Sequence, residues 1–149
     1  MSDLFDPNQN RDILARLDRL TPEAAALWGK MSVGQMLAHC QVPLQVAFGD
    51  LKLKRSLIGF LFGGLAKKSL TAPGRFKPNM PTAPEFKVTG VREFASERQK
   101  LAALVRRFVE AGPAGLTKEP HPFFGPLMTG EWSLLQWKHL DHHLRQFGA

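Results

Sequence analysis

The stretch from Met31 to Gly49 carries no aspartate, glutamate, lysine or arginine, and this limits where it can lie in a folded chain. Its start, Ser32-Val-Gly-Gln35, has the pattern of a capping box, in which the serine and glutamine side chains bond each other's free backbone N–H groups. We therefore predict a helix from Ser32 to about Phe48, with a kink near Pro43. A helix without charges is buried over most of its circumference, so the other segments must pack around it.

Three further segments have apolar residues at helical spacing: Gln9 to Leu20, Arg92 to Ala111, and Thr129 to Phe147. The second and third of these four predicted helices, in chain order, are separated by a long segment rich in glycine and proline, Gly49 to Val91. We expect it to be an irregular excursion with a short helix over Arg55 to Lys68. Few runs resemble strands, and no repeat or linker divides the chain. The prediction is one all-α domain over residues 1–149, a four-helix bundle.

The formal net charge of +7 is concentrated in the excursion. Between Leu51 and Pro84 there is no acidic residue, and the basic residues there are Lys52, Lys54, Arg55, Lys67, Lys68, Arg75 and Lys77. Such a field favours an anionic small molecule or an anionic lipid surface, although a solvated basic loop is an equal alternative. The apolar run Leu57 to Phe62 could lie on a membrane or close a dimer interface. Nucleic-acid binding is not expected, because no recognised motif accompanies the charge.

The location of the protein follows from simple features of the chain. The single cysteine, Cys40, excludes an internal disulfide and fits a reducing compartment. The polar N-terminus lacks the pattern of a signal peptide, and the longest apolar run is too short for a membrane-spanning helix. We expect a cytoplasmic protein without stable membrane insertion.

Three of the five histidines lie on the sides of predicted helices that face the protein core. His139 and His143 are four residues apart and fall on the apolar side of the last helix, and His39 lies on the inner side of the charge-free helix. Unpartnered buried imidazoles are costly, and a divalent metal ion would remove that cost by binding their neutral nitrogens. The alternative is that they are ordinary hydrogen-bonded core residues.

The other polar residues of the last helix are expected to point elsewhere. His142 falls near the boundary of the polar face, and Lys138, Asp141 and Arg145 fall on that face. No general base stands out, since Glu131 has a position that suits the helix dipole.

Four more side chains are expected to line the site, orient its rings or pack in the core. His121 precedes a proline and could line the site or anchor its loop, and Cys40 is expected in the core. Gln35 and Gln136 each lie about one turn from a histidine and are candidates to orient its ring.

The motifs around these histidines resemble those of a known superfamily. Met31-Ser-Val-Gly-Gln-Met-Leu-Ala-His39 resembles the second-helix motif of the DinB-like (DinB/YfiT) superfamily of metalloenzymes, and Lys138-His-Leu-Asp-His-His143 through Gly148 resembles its last-helix motif. The turn from Trp28 to Ser32 and the loop from His121 to Gly125 are similar to those of a small bacterial subgroup of unknown function. The resemblance covers nearly the whole chain.

This resemblance implies a fold and a chemistry. The fold is an up-down-down-up four-helix bundle, often dimeric, in which His39, His139 and His143 would bind a divalent metal, zinc or nickel before iron. Superfamily members include transferases and isomerases that use low-molecular-weight thiols, so the implied function is a thiol-dependent S-transferase or a hydrolase acting on a small or anionic substrate. The alternative is a non-catalytic metal-binding or stress-response protein.

Overall fold

Five α-helices account for most of the chain in the computed structural model, which describes residues 2–149. They are α1 (Pro7–Arg19), α2 (Val33–Phe48), α3 (Leu57–Thr71), α4 (Phe94–Ala111) and α5 (Thr129–Gln146), with short 3-10 helices at Pro84–Phe86 and Pro113–Gly115. Within residues 2–149 there is no strand, only a backbone bridge between His121 and Gly125. The all-α prediction is confirmed.

The helix starts follow from local capping. The Asp6 side chain accepts hydrogen bonds from the backbone N–H groups of Asn8 and Gln9, and Pro7 occupies the first helical position, so α1 begins two residues before the predicted Gln9. At α2 the predicted capping box is present, with Gln35 N–H donating to Ser32 Oγ at 3.1 Å and Ser32 N–H to Gln35 Oε1 at 3.0 Å.

The charge-free helix lies at the centre of the molecule. No residue of α2 is exposed, and this helix packs against both α4 and α5, while α1 packs against the same two helices. The interior between them is filled by side chains with almost no exposed surface, among them Ile13, Leu17, Met36, Leu37, Leu44, Leu101, Val105, Phe108, Trp132, Leu140 and Leu144. The burial predicted for this segment is therefore observed.

The excursion between α2 and α4 contains the predicted short helix. This helix, α3, runs from Leu57 to Thr71, so it begins two residues after the predicted Arg55 and ends three residues after the predicted Lys68. The Ser56 hydroxyl caps it by accepting from Gly59 N–H, and the Lys138 ammonium of α5 donates to the carbonyls of Leu70 and Ala72 at its end. No helix among residues 2–149 combines the length and apolarity needed to cross a membrane.

The predicted polar face of α5 is covered, and this prediction was wrong. Asp141 is buried and pairs with Arg16 of α1 at 3.0 Å and with Arg145 at 2.9 Å. Lys138 is also buried, under the end of α3. The helical pattern of α5 alone identifies one apolar side, but α1 and α3 cover its flanks and bury charged groups that are paired or hydrogen-bonded.

Candidate metal centre

Helices α2 and α5 bring His39, His139 and His143 together. One ring nitrogen from each lies within 4.8 Å of the other two. The ring centroids are 4.9 Å apart for His39 and His139, 4.7 Å for His39 and His143, and 4.6 Å for His139 and His143. The two histidines of α5 share a face because they are four residues apart, and the packing of α2 on α5 adds the third.

Two of the three rings are held in a defined tautomer. His39 Nδ1–H donates to the Phe86 carbonyl at 2.7 Å, and His143 Nδ1–H donates to Gln146 Oε1, also at 2.7 Å. The orientation of the Gln146 amide is fixed because its Nε2 donates to the Trp28 carbonyl. Since both partners are oxygen acceptors, the protons lie on Nδ1, and each Nε2 keeps a free lone pair.

One contact joins the rings of His39 and His139. Their Nε2 atoms are 3.0 Å apart, so without an ion His139 Nε2–H donates a hydrogen bond to His39 Nε2. The same distance is close to the roughly 3.3 Å between two nitrogens bound to one tetrahedral zinc ion. His139 Nδ1 is buried and has no hydrogen-bond partner among residues 2–149. A donor set of three converging imidazoles therefore fits a divalent metal ion such as zinc or nickel.

The electrostatic setting keeps the three rings neutral. Burial lowers the pKa of His39, against a smaller opposing effect of the hydrogen bond to Phe86. Burial and the neighbouring His39 lower the pKa of His143 to about 3. Burial and the other histidines also lower the pKa of His139 well below its usual range. At neutral pH the imidazoles are uncharged, which is the form that binds a metal.

The three histidines differ in exposure. His39 and His143 are buried, whereas His139 is intermediate, with its Nδ1 atom buried. His139 is therefore the least buried of the three residues.

Comparison with known proteins gives one result. The sequence model of a family described as a protein of unknown function, DUF1569, matches residues 5–149. The chain belongs to the DUF1569 family. No curated protein and no solved structure shows a significant match.

The remaining histidines of this DUF1569 protein lie outside the cluster. His142 is buried, with its Nδ1 3.4 Å from the Phe76 carbonyl and its ring against Trp28. His121 Nδ1 accepts from the backbone N–H groups of Phe123 and Phe124 at 3.0 and 3.2 Å. Of the two roles open to His121, these contacts show that it anchors its loop.

The predicted orienting glutamines are not the partners of the rings. Gln35 is engaged in the capping box and donates to the Gly90 carbonyl, and Gln136 donates to the Pro43 carbonyl. The groups that orient the rings are Phe86 and Gln146, which the sequence reasoning missed. Gln146 follows His143 by three residues, a helical spacing that could have indicated the contact. Phe86 lies in the excursion, and its backbone carbonyl leaves no signal in the sequence.

Two further candidates are engaged in structural contacts. Glu131 lies in the first turn of α5, where it accepts from Met128 N–H at 2.7 Å and pairs with Lys67 at 2.8 Å. The helix begins at the predicted Thr129, with Met128 as its N-cap residue. Cys40 is buried against Met36, as expected for a core residue, and burial raises the pKa of its thiol.

Proposed function

We propose that this DUF1569 protein is a metal-dependent enzyme in which His39, His139 and His143 bind one divalent ion, zinc or nickel before iron. The observation that carries the proposal is the convergence of one nitrogen from each ring within 4.8 Å. The Nδ1–H groups of His39 and His143 each donate a hydrogen bond to an oxygen atom, which leaves Nε2 as the ligand atom. This arrangement is typical of histidines that bind a metal.

The chemistry is the activation of a thiol or a water molecule. A metal bound by three protein ligands has positions left for another ligand, and it lowers the pKa of a thiol or water that binds there. The residues of the chain supply orientation: Phe86 and Gln146 fix two rings, and the burial of His39 and His143 keeps the site dry. In this proposal the substrate approaches beside His139, the least buried of the three ligands.

The same proposal includes the DinB-like fold, an up-down-down-up four-helix bundle formed by α1, α2, α4 and α5 with α3 in the excursion. It is supported by the packing of α1 and α2 on both α4 and α5. It is also supported by the positions of the histidines, one on the second helix and two at H-x-x-x-H spacing on the last.

The proposed substrate is a small thiol or another anionic molecule. Lys54 of the basic segment lines a small surface cavity together with Glu85 and Phe86. Because the Phe86 carbonyl accepts from His39, this cavity adjoins a residue that orients the site, and Lys54 is the residue that we propose attracts a carboxylate there.

Cobalt substitution tests this function. The protein is loaded with Co²⁺ and titrated with a low-molecular-weight thiol while its absorption spectrum is recorded. We expect a thiolate-to-cobalt charge-transfer band in the near ultraviolet, absent when a thioether of the same size is added. A spectrum that neither the thiol nor a change of pH alters would contradict an open coordination position.

The burial of the site favours one other function. With two of the three ligands buried, the ion could be held without turnover in a non-catalytic metal-binding or stress-response protein. The cobalt titration separates the two functions, because a closed site gives no thiolate band.

A further inference from the structure

Helix α3 turns most of its large apolar side chains towards solvent. Its outer face, as we call it here, consists of side chains that are 56–75% exposed: Leu57, Ile58, Phe60, Leu61, Phe62 and Leu65. Contiguous exposed apolar surface of this kind indicates a binding site. The proposed metal chemistry makes no use of it.

The inner face of α3 explains why the apolar residues point outward. Gly59 and Gly63 lie against the backbone of Phe123, and a Cβ on either glycine would overlap it. Leu70 is buried at the other end, where Lys138 holds the last carbonyls of the helix. These contacts fix the rotation of α3, so turning its leucines inward would place side chains where only glycine fits.

The segment that carries the outer face is basic and has no acidic residue, since residues 51–84 contain no aspartate or glutamate. Its basic residues, here called the rim, are Arg55, whose guanidinium lies 5.2 Å from the Phe60 ring centroid, Lys67 and Lys68 on α3, and Lys52, Lys54, Arg75 and Lys77 in the flanking loops. In the described part of the chain, only Lys67 and Arg75 of this set form an ion pair, with Glu131 and Asp141. The rim therefore keeps most of its positive charge for a partner.

We propose that the outer face of α3 binds the surface of an anionic lipid bilayer. The helix would lie in the plane of the interface, with its leucines and phenylalanines at the boundary between headgroups and acyl chains and the rim lysines on lipid phosphates. A second copy of the chain suits the outer face less well. If two copies paired through this face, their basic rims would lie close together and repel each other. This inference does not depend on the proposed metal chemistry.

Vesicle flotation tests the proposal with the full chain. The probes are vesicles of phosphatidylglycerol mixed with phosphatidylcholine, and vesicles of phosphatidylcholine alone. We expect the protein to float with the anionic vesicles at low salt and to be released by high salt, and not to float with the neutral ones.

Two triple variants separate the apolar and the electrostatic contributions. Leu57→Gln/Leu61→Gln/Leu65→Gln should weaken binding to anionic vesicles by more than about tenfold, since these side chains leave water on binding. Lys52→Gln/Lys54→Gln/Lys68→Gln should weaken it by about a hundredfold, because each basic residue near an anionic surface contributes about fivefold.

A matched control replaces three exposed apolar residues elsewhere, in the variant Leu27→Gln/Val91→Gln/Met128→Gln. It should bind like the unmodified protein, and circular dichroism should show that all variants are folded. The proposal is overturned if the unmodified protein stays with the free fraction, or if the leucine variant binds as well as the control. It is also overturned if the unmodified protein does not bind vesicles and sedimentation shows that it is a dimer, whereas the leucine variant is a monomer. That result would make the outer face an interface between copies of the chain.

Discussion

The orientation of the histidine rings depends on residues that are not themselves candidate ligands. Gln146 stands between the His143 ring and the Trp28 carbonyl, so one amide ties the ring to the loop before α2. The Phe86 carbonyl does the same for His39 from the excursion. Contacts of this kind fix the tautomer and make the ligand nitrogen more basic.

Replacing Gln146 tests this role. Gln146→Leu removes the acceptor for His143 Nδ1–H, and we expect metal affinity to fall by about 10- to 100-fold. Gln146→Glu keeps an acceptor and should retain most of the affinity. The measurement is competition with a chelator of known affinity. The matched control is Gln136→Leu, which removes a buried glutamine of the same helix that contacts Pro43 instead. Equal losses in both leucine variants would assign Gln146 a merely structural role.

His121 should make stability depend on pH. Burial lowers its pKa from 6.5 to about 4, so between these values the unfolded chain binds a proton that the folded chain does not. The contribution of His121 to stability is therefore complete above pH 6.5 and is lost as the pH falls towards 4, by up to about 3 kcal/mol.

The variant His121→Asn isolates this effect, because its side-chain oxygen can accept the N–H groups of Phe123 and Phe124 without titrating. Urea unfolding at several pH values should show a smaller loss of stability on acidification than in the unmodified protein. Parallel pH profiles in the two proteins would contradict the assignment.

Individual residues were predictable where local spacing determines their surroundings. The inward positions of His39, His139 and His143 follow from the helical period, and Ser32 and Gln35 follow from the capping pattern. The burial of Asp141 did not follow, because it depends on Arg16, which is 125 residues away in sequence. Long-range pairs of this kind leave no local pattern.

At the scale of elements, the excursion between α2 and α4 determines how the site and the surface are arranged. Helix α3 of the excursion packs against α5 and against the loop at Phe123. The part of the excursion that follows α3 contacts two histidines, through the Phe76 carbonyl to His142 and the Phe86 carbonyl to His39. The sequence indicated a short helix here. The rotation of this helix about its axis depends on Gly59 and Gly63, which pack against the backbone of Phe123, and a sequence pattern does not show that contact.

Paired glycine substitutions test this packing. Gly63→Ala places a methyl group against the Phe123 carbonyl, and we expect a loss of about 1–3 kcal/mol from overpacking. Gly64→Ala, one residue later, meets no atom within 4 Å and should stabilise α3 by up to about 1 kcal/mol through helix propensity. Denaturant unfolding of both variants measures the difference. Similar effects of the two substitutions would show that the contact with Phe123 does not hold α3.

At the scale of the whole molecule, the candidate site joins two helices that are far apart in sequence. His39 lies on α2, and His139 and His143 lie on α5, 100 and 104 residues later. The DUF1569 family match spans both helices. The all-α class and the helices that carry the histidines could be predicted from sequence because each has its own period and caps. How the excursion folds over the site could not, because it rests on contacts between segments that share no local pattern.

Metal content measured by mass spectrometry on untagged protein tests the central claim most directly. The comparison is between the unmodified protein, the single variants His39→Gln, His139→Gln and His143→Gln, and the control His142→Gln, which replaces a buried histidine next to the cluster. The account predicts close to one divalent ion per chain in the unmodified protein and the control, and its loss in each of the three ligand variants. A metal-free protein that resists loading, or a metal that survives all three substitutions, would contradict it.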